Sequence, residues 1–118
     1  MRTVEIGGRT VELSGSILAP LTWYNQFGDD GLFQALMRVE TKMSLLDVLK
    51  LAWVMAHDAD VAAGREAMGF DRWCQDVAGE CDFSTLREQV VAESDATWFR
   101  AAAERIEAER KAAEQDAG

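Results

Sequence analysis

The sequence predicts a mainly α-helical protein: an N-terminal β-hairpin, a compact bundle of about five helices, and a charged helical or disordered C-terminal tail. Three observations predict it. Two short N-terminal segments alternate apolar and polar residues with period two around a Gly-Gly pair. Between Ile17 and Trp98 the apolar residues recur at helical spacing. After Phe99 the composition shifts to Ala, Glu, Arg, Lys, Gln and Asp, with Ile106 the only large apolar side chain. The domain is therefore expected over residues 1–99, with the hairpin in 2–13 and the helices in 17–98, and the tail over 100–118. At 118 residues one domain fits and a second does not.

The hairpin strands are Thr3-Val-Glu-Ile6 and Arg9-Thr-Val-Glu-Leu13. A two-residue Gly7-Gly8 turn pairs Ile6 with Arg9, Glu5 with Thr10 and Val4 with Val11. Val4, Ile6, Val11 and Leu13 then share one face. An isolated hairpin is barely stable in water, so that face must lie on helices or on another chain.

A first helix is predicted from Ile17 to Phe27, with Pro20 tolerated in its first turn and Gly28 ending it. Ile17, Leu21 and Tyr24 form its expected inner stripe, extended to one side by Trp23 and Phe27. The second helix runs from Leu32 to about Thr41, with Leu32, Phe33, Leu36, Met37 and Glu40 on one face. Ser44 is expected to cap the third, with Asp47 favourably placed in its first turn. Leu45 to Met55 covers nearly the whole circumference of that helix with apolar residues, so it is central to the domain or half of an oligomer interface. Asp58 to Gly69 reads as loose. Phe70, Trp73, Cys74 and Val77 mark a short fourth helix, and Gly79 to Asp82 a turn. Ser84 is the expected cap of a fifth helix carrying Leu86, Val90 and Val91.

Charge and composition exclude several function classes. The net charge of −9 argues against binding nucleic acid through its phosphates and against an anionic membrane surface. It favours solubility and basic partners. The longest apolar run, Leu45 to Ala56, is too short to span a bilayer, and the N-terminus lacks the apolar run of a secretory signal. A cytoplasmic protein is expected. Cys74 and Cys81 are spaced Cys-x6-Cys with no nearby His, which is no zinc pattern; they read as reduced, packed thiols rather than a bridge.

Catalytic groups are scarce. The single histidine, His57, lies in His57-Asp58-Ala-Asp60 at a helix end, where its charge suits the helix dipole. Nucleophile elbows, phosphate-binding loops and dinucleotide fingerprints are absent. No catalytic, cofactor-binding or metal-binding residue is nominated, and no cofactor is expected. Of the four tryptophans, Trp53 and Trp73 occupy core stripes, whereas Trp23 and Trp98 lie at stripe margins where core and interface roles are both open. The interface candidates are Val4, Ile6, Val11, Leu13, Trp23, Phe27 and Trp98.

The order of elements carries a resemblance. A hairpin is followed by a helix ending Tyr24-Asn-Gln-Phe-Gly-Asp-Asp30, then by Leu49-Lys-Leu-Ala-Trp-Val-Met-Ala-His-Asp-Ala-Asp60, then by Gly69-Phe-Asp-Arg-Trp-Cys74, then by a Leu/Val helix with a Trp. Over roughly residues 1–99 this resembles the tail assembly chaperones of long, flexible-tailed (siphovirus-type) phages and prophages. Gly31 before Leu32, Trp73-Cys74 in place of Trp-Leu, and the long Ala/Glu tail depart from that pattern. The resemblance implies a non-enzymatic protein of the bacterial host cytoplasm. Such a protein coats and solubilises the tape-measure protein, helps recruit major tail protein, self-associates, and binds neither nucleic acid nor membrane. The competing reading from charge is an acidic monomeric regulator or DNA mimic that blocks a basic nucleic-acid-binding partner. A third is an enzyme with a site at His57, Asp58 and Asp60.

Overall fold

Gly7 and Gly8 both take positive φ, 56° and 81°, the conformation a tight hairpin turn demands. They join β1 (Arg2–Ile6) to β2 (Arg9–Leu13) in a two-stranded antiparallel sheet. Its register pairs Ile6 with Arg9, Glu5 with Thr10 and Val4 with Val11, as the alternation predicts. A computed structural model of the chain describes residues 1–117. Behind the hairpin come α1 (Ala19–Phe27), α2 (Leu32–Thr41), α3 (Leu45–Ala62), α4 (Phe70–Asp76), α5 (Phe83–Ala96) and α6 (Arg100–Ala117).

The apolar face of the hairpin lies on the helices of its own chain. Val4, Ile6 and Leu13 are buried and Val11 is half-buried. The strands are tied down at three points. Ser14 N–H donates to Met55 O of α3 at 3.1 Å. A Cβ on Gly7 would come within 2.7 Å of the Val77 carbonyl, so the turn sits directly on the end of α4. Gly15 passes so close to Thr97 that any Cβ there would collide with its side chain. Only glycine allows that approach between the end of β2 and the end of α5.

Helix α3 is the centre of the bundle, packed by β2, α1, α2, α4 and α5. Val48, Leu51, Ala52, Val54 and Met55 are fully buried, and Trp53 and Ala56 nearly so. The near-absence of a polar face is thus a consequence of burial on almost all sides. Its first turn is the exception, since Leu45 and Leu46 are exposed. The helix runs further than the expected break at Asp58. It ends at Ala62, and Gly64, with a φ of 74°, then turns the chain while Arg65 N–H donates back to Asp60 O at 2.8 Å.

Two expected caps differ in detail. Ser44 holds the N-cap position of α3, yet its hydroxyl donates to Asp47 Oδ2. Asp82, and not Ser84, caps α5, accepting from Ser84 N–H at 2.9 Å and Thr85 N–H at 3.4 Å. The aspartate begins the helix earlier and lets Phe83 pack against the core.

Asp47 is instead the anchor between α2 and α3. Arg38 Nε donates to Asp47 Oδ2 at 2.6 Å and Nη2 to Oδ1 at 3.0 Å, a two-pronged grip on a buried carboxylate. The Arg38 hydrogen bonds, aided by the Ser44 hydroxyl, hold the Asp47 carboxyl below its ordinary value against the opposing effect of burial. A carboxyl depressed on folding stabilises at pH above its unfolded value, and that contribution is lost as pH falls through the folded value. Asp47→Asn is therefore expected to lower the urea midpoint clearly at pH 7. The gap from wild type should narrow as pH falls below the ordinary carboxylate range. A gap independent of pH would show that the pair does not couple to folding.

Candidate functional site

The first helix, which begins at Ala19 and not at Ile17, buries only the Trp23–Phe27 flank of the expected face. Ala19 and Trp23 are buried, with Phe27 half-buried beside them. The anticipated inner stripe faces solvent: Ile17 is 91 % exposed, Leu21 57 % and Tyr24 56 %. A Trp23 ring turned inward explains the choice. Its indole N–H donates to Asp29 Oδ1 at 2.7 Å, and its ring meets Phe27 edge-on at 4.7 Å. Lys50 Nζ lies over the Phe27 ring at 4.8 Å and covers this side.

Helix α2 is rotated in the same sense. Ala35, Leu36 and Val39 are buried, while Phe33 and Met37, expected on the inner face, are exposed. Small Ala35 lets α2 approach its neighbours, and Arg87 Nε donates to Val39 O at 2.6 Å to hold it there. The larger side chains are left outside.

Ile17, Phe33 and Met37 border a groove, whereas Leu21 and Tyr24 lie outside it. Its first half, of about 500 Å³, lies among Ile17, Pro20, Leu32, Phe33, Trp98 and Phe99. Its second half, also about 500 Å³, continues over Phe33, Met37, Phe99, Ala102, Ala103 and Ile106. Phe33, Leu36 and Phe99 line both halves, so the two adjoin. The Phe33 and Phe99 rings pack against each other, centroids 6.1 Å apart, on the surface common to the two halves. The wall beyond is α6, which packs chiefly on α5 and leaves Ile106 64 % exposed. An apolar surface of this kind, open to solvent, is a candidate interaction site.

The sequence-derived interface candidates fall mostly elsewhere. Val4, Ile6, Leu13 and Trp23 belong to the buried core, so a partner cannot reach them in this fold. Val11 is half-buried against that core, and Phe27 joins an aromatic cluster with Trp23, Trp53 and Phe70. Of the seven, Trp98 alone lines the groove, its indole N–H fixed by donation to Ser16 O at 2.9 Å. Trp53 and Trp73 are core residues as expected. The groove residues missed by sequence reasoning carried one usable signal: the first two helices hold more apolar side chains than one buried face needs.

The His57 region does not converge. His57 Nδ1 lies 3.3 Å from Asp58 Oδ1, and its ring rests against Trp53. Asp58 Oδ1 accepts from the Thr22 hydroxyl at 2.7 Å, which ties α3 to α1. Asp60 is held by Arg65, which also grips Glu12. Among the described residues, no three His, Cys, Asp or Glu side chains gather where a metal ion could bind. Cys74 and Cys81 are both free and half-buried, and burial pushes both thiols up from their ordinary value. No helix among the described residues is long and apolar enough to cross a membrane. Comparison with protein-family models, with curated proteins and with solved structures gives no match for the chain.

Proposed function

We propose that this protein is a phage tail assembly chaperone of the long-tailed, siphovirus type. It binds and solubilises the tape-measure protein in the bacterial host cytoplasm and assists tail-tube assembly, without catalysis. One observation carries the reading: Ile17 ahead of α1, and Phe33 and Met37 of α2, turn outward and line two adjoining apolar hollows open to solvent. A tape-measure protein is a long helical chain with apolar surface to hide, and a helix laid in a groove is a standard way to hide it. The acidic exterior keeps the covered client soluble. Many copies along one client gain from self-association, for which the hairpin has unpaired outer strand edges. Recruitment of major tail protein belongs to the same reading.

The DNA-mimic alternative draws on net charge alone. Three carboxylates, those of Asp47, Asp58 and Glu93, are buried in the fold and unavailable to such a surface.

Co-expression with a tape-measure protein of the siphovirus type tests the proposal. The client is expected to move from the pellet to the soluble fraction with the wild-type protein. Phe33→Asp should abolish the rescue while leaving the melting temperature nearly unchanged, because Phe33 is 54 % exposed. Light scattering on the wild type should show self-association. A strictly monomeric protein that leaves its client insoluble would overturn the reading.

A further inference from the structure

The groove has an uneven electrostatic character. Its first half is lined by apolar and small polar residues with no charge among them. Its second half carries Glu40, Asp95 and Glu107 beside the apolar floor, and no Lys or Arg lines either half. Glu40 and Asp95 form no salt bridge among the described residues. Glu107 is met only by Arg110 of its own helix, an exposed pair that contributes little and separates readily. The three carboxylates come from three elements. Glu40 is on α2, Asp95 is at the end of α5, and Glu107 is on α6. They therefore flank one end of the channel rather than form a single solvated helix face.

We propose that this groove selects an amphipathic α-helix whose apolar stripe is flanked by Lys or Arg. The apolar stripe seats over Phe33, Leu36 and Phe99, and the cationic flank meets Glu40, Asp95 and Glu107. Apolar contact provides the affinity, and the acidic end fixes orientation and rejects helices with acidic flanks. The inference rests on the reading of the groove as the client site and adds the chemistry of the client segment. It predicts that the bound stretch of the partner is basic, which the apolar floor alone does not require.

Two synthetic helical peptides test it. They share one Leu stripe at i, i+3, i+4 and i+7 and differ only in carrying Lys or Glu beside it. Calorimetric titration into the full chain is expected to show the Lys peptide binding about tenfold tighter at low salt, the sum of several exposed charge pairs. That preference should shrink as salt rises. Glu40→Lys/Asp95→Lys should remove or reverse it. Both sites are exposed on helix surfaces, so the fold is retained and the melting temperature checks this. Phe33→Asp should abolish binding of both peptides. Equal binding of the two peptides, a preference unchanged by the double variant, or no binding of either overturns the inference. Client rescue without a charge preference leaves the chaperone reading standing and removes this one. A Lys-peptide preference without client rescue does the reverse.

Discussion

Trp53→Ala is expected to cost about 3–5 kcal/mol, the usual range for truncating a buried aromatic side chain. Against a total stability of about 5–15 kcal/mol for a small domain, the variant would sit near the edge of folding. Its melting temperature should fall by roughly 10–25 °C. Three features put Trp53 at the top of the range. It is 4 % exposed on the central helix. Its ring meets Phe27 and Phe70 edge-on, both at 5.9 Å, and so joins α1, α3 and α4 in one cluster. Its indole N–H donates to Met68 O at 2.9 Å and fastens the segment that links α3 to α4. Truncation removes the packing and leaves that carbonyl without its partner. Trp53→Phe should cost less, about 1–2 kcal/mol, because it keeps most of the ring contacts and loses the hydrogen bond. Urea unfolding of both variants measures this. A cost below about 1 kcal/mol for the alanine variant would mean that α3 is not the hub of the bundle.

The elements that sequence reasoning reads correctly are those whose signal is local. The hairpin register follows from a period of two and two glycines, both inside one eleven-residue stretch. Helix α3 is legible because a helix apolar on all sides has only one place to go. The facing of α1 and α2 is not legible, and the reason is physical. Periodicity locates an apolar stripe but does not say whether a core or a partner covers it. Around α1 two stripes compete, Ile17–Leu21–Tyr24, which begins just before the helix, and Ala19–Trp23–Phe27, and the first has more large aliphatic area. The second is buried because Trp23 finds Asp29 and Phe27, a choice made by tertiary partners. Of that exposed stripe Ile17 lines the groove, together with Phe33 and Met37 of α2. The misread faces and the candidate site therefore overlap, chiefly on α2.

Glu93 is the other residue whose role the sequence conceals, and it yields the second large effect. It lies in Ala92-Glu-Ser-Asp95, which reads as a solvated helix face, yet it is 1 % exposed. Its partners come from the far end of the chain. Arg2 Nε donates to Oε1 at 3.3 Å, Gly15 N–H donates to Oε2 at 2.9 Å, and the Met1 ammonium lies 3.3 Å from Oε2. Removing a partner of a buried charge usually costs more than the pair itself contributes, because the charge is stranded. Arg2→Ala is therefore expected to cost about 2–3 kcal/mol, below the full penalty because Gly15 and Met1 still serve the carboxylate. Adding Glu93→Leu removes the stranded charge and fills the space with apolar volume. The double variant should recover to within about 1 kcal/mol of wild type, the residue being the unanswered Gly15 N–H. Stability would then rise on adding a second mutation, a coupling that a solvated glutamate cannot produce. A double-mutant cycle by urea unfolding reads it directly. Additive losses would show that Glu93 is hydrated and that the hairpin is held to α5 by its apolar face alone.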